Sequence, residues 1–121
     1  MEKLLLIGLP DPGIVEQIAA KLRFRTIIVP PEQYSRSLGS LAGYANVSVS
    51  TDAAADATLP RTGLLVMCGL KNNRIDRLLE TLRTAGQVIP YKAVLTQTNR
   101  NWNAFQLAHE LERERRAMAE K

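Results

Sequence analysis

Residues 64–86 read LLVMCGLKNNRIDRLLETLRTAG, and the fold turns on how this stretch divides. Leu64 to Cys68 is continuously apolar, with no polar residue at alternate positions. That is the pattern of a strand covered on both faces. Gly69 closes it. Beyond it Ile75, Leu78, Leu79 and Leu82 recur at helical spacing, and Gly86 follows as a stop. Asn72 or Asn73 is the expected cap. One stretch thus specifies a strand and the helix that follows it.

The same grammar occurs once before. LLLIGLPDPGIVEQI, residues 4–18, carries the Gly-Leu pair and a helical isoleucine at matching offsets. Asp11 suits the cap and Pro12 the first helical position. Ile14, Ile18 and Leu22 recur every four residues, with Val15 and Ala19 alongside. Two copies make two related βα units, not a solenoid. RTIIVP, residues 25–30, and YKAVLT, residues 91–96, read as the remaining strands. Between the units, Tyr34, Leu38 and Leu41 suit one or two helical turns, which Gly39 and Gly43 interrupt. Residues 45–61 are small and polar and read as an exposed, mobile loop, in which Val47 and Val49 suit a brief extended pairing. The charged stretch at about 104–119 is a final helix.

This order, β-α-β-α-β-α-β-α, predicts one α/β domain over residues 1–121. The expected architecture is a four-stranded, mainly parallel sheet with helices on both faces, in the flavodoxin-like order 2-1-3-4. A ferredoxin-like α+β sheet is the alternative. It calls for more in/out alternation along the strands.

Composition narrows the function classes. The chain has 121 residues, 45% hydrophobic, which suits one ordinary core. Sixteen Lys and Arg against twelve Asp and Glu give +4, a mild excess scattered along the sequence. One cysteine, Cys68, allows no internal disulfide, and Cys68 with His109 falls short of a zinc ligand set. The apolar run from Leu4 to Leu9 is too short for a signal peptide, and no stretch approaches a membrane span. A cytoplasmic home with no membrane contact is expected. GLPDPG, residues 8–13, lacks both phosphate-loop patterns, and Pro10 and Pro12 remove backbone N–H groups such a loop would offer. No cofactor and no metal are expected.

In a parallel sheet, ligands bind at the carboxyl ends of the strands. Four turns should line that rim: 8–13, 30–31, 69–73 and 96–101. Their polar residues are Asp11, Asn72, Asn73, Thr96, Thr98, Asn99, Arg100 and Asn101. Amides and hydroxyls dominate, which suits hydrogen-bonding recognition better than acid–base chemistry. Trp102, Asn103, Gln106 and Leu107 are explained by helix initiation. Asn103 is the cap, Gln106 stands at the capping-box position, and Trp102 and Leu107 have the spacing of a hydrophobic staple. A phospho-receiver would need a carboxylate where Met67 and Cys68 stand.

KAVLTQTNRNW, residues 92–102, followed by a charged helix, closely resembles the C-terminal signature of a small bacterial family, domain-of-unknown-function family 3783, whose segment reads KAVLTPTNRNW. The Gly69-Leu70 pair with its helix also looks like that family. The resemblance is strong over the second half of the chain and loose over the first. Gln97 replaces the family's proline, leaving a less rigid turn. The resemblance brings no activity, substrate or cofactor with it. It implies that Thr96, Thr98, Asn99, Arg100, Asn101 and Trp102 matter as a unit.

The expected function is a non-enzymatic binding or regulatory module. It would recognise a small anion or a protein partner through Thr98, Asn99 and Arg100, helped by Asn72 and Asn73. One alternative is an enzyme centred on Cys68 or Asp11. Another is a weak nucleic-acid binder using Lys71, Arg74, Arg77 and Arg83. Nucleic acid is not the expected partner, because the basic residues are scattered along the sequence, and with few aromatics for stacking single-strand recognition is its weakest version. Edge strands and a long terminal helix are compatible with a homodimer.

Overall fold

The structure is a computed structural model that describes residues 2–45, 47–48 and 58–119. Four strands form one sheet in the order β2-β1-β3-β4. They are β1 (Lys3–Ile7), β2 (Arg25–Val29), β3 (Leu64–Cys68) and β4 (Lys92–Val94). The helices are α1 (Pro12–Lys21), α2 (Leu38–Leu41), α3 (Asn72–Thr84) and α4 (Ala104–Ala119), with short 3-10 turns at Pro31–Gln33 and Asn99–Asn101.

All five residues of β3 are buried because both of its faces are covered. Leu65 and Met67 join Leu4, Leu6, Val15, Ile18, Leu78 and Leu82 beneath α1 and α3. Leu64, Val66 and Cys68 join Leu5, Ile7, Leu38, Leu41 and Leu107 beneath α2 and α4. Each leucine sealed in these layers, such as Leu78, contributes roughly 1.5–3 kcal/mol.

The strand order and the covered faces agree with the sequence reading. Strand direction does not agree throughout. β1 is parallel to β2, with Leu5 opposite Ile27, and β3 is parallel to β4, with Val66 opposite Ala93. The central pair is antiparallel, with Leu5 opposite Val66. The sheet is therefore mixed: mainly parallel, as expected, in two of its three pairs, but with one antiparallel pair that a flavodoxin-like sheet does not have. The physical reason lies in the connections. Each βα unit forces its own two strands to be parallel. Among the described residues between β2 and β3 there are only the 3-10 turn Pro31–Gln33 and the four-residue α2, so no long crossover helix among them dictates the direction of β3.

The two halves consequently relate by an approximate two-fold axis normal to the sheet. Leu5 and Val66 occupy equivalent places, and they face each other. Gly8 and Gly69 close the equivalent strands with positive φ, 68° and 78°. Ser37 caps α2 through Ser40 N–H, and Asn103 caps α4 through Gln106 N–H. The halves also interlock: Leu38 N–H donates to Trp102 O, and Ala104 N–H donates to Tyr34 O.

Of the expected polar loop at 45–61, residues 46 and 49–57 lie outside the described residues, including Val49. Val47 carbonyl oxygen accepts from Ser37 Oγ at 2.7 Å.

Candidate functional site

The TQTNR stretch builds a closed turn. Thr96 N–H donates to Asn99 Oδ1 at 2.8 Å, and Asn99 N–H donates to Thr96 Oγ1 at 3.1 Å. Asn99 Nδ2 donates back to Val94 O at 2.9 Å. Asn99 is only 8% exposed, so these bonds replace water that the amide would otherwise need. Asn101 Nδ2 donates to Ser48 O at 3.0 Å and ties residues 47–48 to this turn. The Asn103 cap forms at 2.9 Å. Gln106 Oε1, by contrast, is buried with no hydrogen-bond partner, so the reverse arm of the capping box is not made. Thr98 and Arg100 remain exposed.

At the start of α3 the cap position belongs to Lys71, not to an asparagine, and no side chain caps it. Asn72 and Asn73 are the first two helical residues and are exposed. Arg74 is held. Its guanidinium donates to the Glu2 carboxylate at 3.0–3.3 Å and to Leu22 O at 2.5 Å, and it stacks 4.4 Å from the Phe24 ring centroid. This contact holds the Glu2 carboxyl below its ordinary range.

The antiparallel centre of the sheet splits the expected four-turn rim. The turns 69–73 and 96–101 leave one end of the sheet, towards opposite faces. The turns 8–13 and 30–31 leave the other end. Asp11, exposed and making no side-chain cap bond, is therefore remote from Asn72 and Arg100.

Cys68 is 1% exposed in the layer beneath α2 and α4, and burial pushes its thiol up to about 12. A neutral, sealed thiol is a small hydrophobe, not a nucleophile. His109 is exposed on α4 and borders an open cavity of about 350 Å³ with Leu59, Pro60, Tyr91 and Glu112. There the Tyr91 hydroxyl donates to the Glu112 carboxylate, Arg116 Nε lies 3.3 Å from that carboxylate, and the Arg115 guanidinium sits 5.2 Å from the Tyr91 ring centroid. The hydrogen bond raises the Tyr91 phenol and lowers Glu112. Sequence reading missed Tyr91. The Glu112–Arg116 pair is visible at i,i+4, but nothing local announces a phenol that arrives from β4. The cluster fastens α4 to the sheet. Among the described residues, no group of His, Cys, Asp and Glu could hold a metal ion, and no helix is long and apolar enough to cross a membrane.

The fold does gather charge. At the end of the sheet where β1 and β2 begin and β3 and β4 finish stand Lys3, Lys21, Arg23, Arg25, Lys71, Arg74 and Arg100. Of the described residues at these termini, Glu2 is the single carboxylate. Seven cations against one anion exceed the +4 of the whole chain, so the remainder of the molecule is net negative. Lys3 Nζ is fixed on Ala42 O at 2.7 Å. Arg23 stands at the residue after the α1 cap in the left-handed conformation, φ 64°, a place that favours glycine.

No curated protein and no solved structure matches the chain. Residues 64–118, from β3 into the last turns of α4, match the family model described as a domain of unknown function (DUF3783).

Proposed function

We propose that this protein is a non-enzymatic binding module that takes an anionic partner at the basic end of its sheet. The supporting observation is the convergence there of seven cations from separate elements beside a single carboxylate. Arg25, Lys71 and Arg100 are exposed and supply charge. Asn72 and Asn73 next to Lys71, and Thr98 near Arg100, are exposed and supply donors and acceptors. Asn99 and Asn101 serve by shaping the turn that presents Arg100. Arg23 adds support: a cation stands where the backbone favours glycine, an arrangement typical of a functional surface. The sealed thiol of Cys68 argues against a nucleophilic enzyme. A cytoplasmic location fits a chain whose one cysteine is free and buried.

Titration calorimetry with inorganic polyphosphate tests the reading. The variant Arg25→Glu/Lys71→Glu/Arg100→Glu should bind at least about tenfold more weakly. Arg61→Glu/Arg83→Glu/Arg113→Glu makes the same change in net charge with exposed cations elsewhere, and should bind within about threefold of the parent. Equal losses in both would reduce the effect to overall charge and end the proposal.

A further inference from the structure

The geometry points to a single-stranded nucleic acid as the anion bound at this basic end, its phosphates on Arg25, Lys71 and Arg100 and one base stacked on Tyr44. This deepens the binding-module reading and rests on it. Tyr44 follows α2 at the same end of the sheet. With Lys3, Ala42, Gly43 and Cys68 it lines a shallow cavity of about 120 Å³. Among the described residues it is the one aromatic side chain left half exposed, at 50%. The other rings are engaged. Tyr34 meets Phe105 edge-on, Tyr91 is bonded to Glu112, Phe24 carries the Arg74 guanidinium, and Trp102 packs on the layer beneath α4.

The exposure of Tyr44 is built in. Gly43 has φ 97°, and a β-carbon there would come within 2.9 Å of Lys3 Nζ. Glycine thus lets Lys3 lie beneath the turn and directs the chain outward at Tyr44. An ammonium group is thereby fixed beside an open ring. An open ring flanked by cations is how proteins hold unpaired nucleotides: the groove tracks phosphates, and the ring accepts any base face. Acidic peptides offer no flat π-face to such a ring. A duplex keeps its bases stacked and out of reach. The small number of aromatics in the sequence argued against this partner, but one ring in the right place suffices for one base.

The test uses the full chain, a fluorescently labelled twelve-nucleotide oligo-dT or oligo-rU read by anisotropy, and polyphosphate as a probe without bases. The oligonucleotide should bind more tightly than polyphosphate and weaken steeply with salt. Lys71→Glu/Arg100→Glu should weaken both probes. Tyr44→Ala should weaken the oligonucleotide about tenfold and leave polyphosphate unchanged, while Tyr44→Trp keeps or improves oligonucleotide binding. If Tyr44→Ala has no effect on the oligonucleotide, or if polyglutamate binds as tightly, the nucleic-acid inference is overturned and the binding module stands. If neither the oligonucleotide nor polyphosphate binds, both fall together.

Discussion

Gly63→Ala probes the direction of β3 in a single methyl group. Gly63 has φ 77°, and a β-carbon built there lies 2.7 Å from the Gly8 carbonyl carbon and oxygen and from Leu9 N. Those neighbours are backbone and cannot rotate away. The approach exists because the central strands are antiparallel, with Ile7 opposite Leu64, which brings Gly8 and Gly63 together at the strand ends. In a parallel arrangement Gly63 would lie at the other end of β1. Gly86 is the control. It has nearly the same φ, 75°, but nothing within 4 Å of its added β-carbon. Gly86→Ala should lose only the left-handed backbone term, about 1 kcal/mol. Gly63→Ala adds an overpacking term of about 2 kcal/mol, for a total of about 3 kcal/mol. With a urea slope of about 2 kcal/mol/M, the midpoints should fall by about 0.5 M and about 1.5 M respectively. Equal shifts in the two variants would mean that the backbones do not meet. The gathering of cations at one end would then lose its basis.

Asn99→Ala removes an acceptor from Thr96 N–H and a donor to Val94 O in a buried setting, and chemical denaturation should register a loss of about 2 kcal/mol. Asn103→Ala should lose about 1 kcal/mol, with Asn103→Ser restoring most of it. Arg23→Gly relieves a left-handed arginine and should raise stability by about 1 kcal/mol while weakening polyphosphate binding, a trade-off readable by pairing thermal melts with calorimetry. The Glu2 carboxyl is depressed in the folded state by Arg74, so its contribution is present above the unfolded carboxylate value, about 4.3, and is lost as pH falls through the lower folded value. The gap in urea midpoint between parent and Glu2→Gln should therefore be open at pH 7 and close towards pH 3. Cys68 should react with a mild alkylating agent only as fast as the protein opens, and rapidly in denaturant.

Much of this architecture is legible in residues. Leu64 to Cys68 and Leu4 to Ile7 announce strands covered on both faces, and the spacing of Ile75, Leu78, Leu79 and Leu82 announces α3. The Asn103 start of α4 is written in Trp102, Asn103 and Leu107. Strand direction is not legible, because a continuous apolar run reports coverage and carries no sign. Its direction depends on what the long link from Pro30 to Gly63 does in space. The basic end was hidden for the same reason. Lys71 and Arg100 meet Lys3, Arg23 and Arg25 only because β3 and β4 run opposite to β1 and β2. The assignment of cap to Asn72 or Asn73 failed by one or two residues, since cap preference is weaker than the geometry of the turn that enters α3.

The pairing of Leu5 with Val66 gives the molecule a seam whose two lips are the same position taken from two halves. Such a seam is its own complement. A shorter polypeptide holding only the β3-to-α4 half, the part that the family model spans, would carry one naked lip along β3 and could zip it onto a twin in the same register. What one chain here achieves by joining two halves with a tether, two short chains could reach by meeting, with the Lys71 and Arg100 turns of each at opposite ends of the joint sheet.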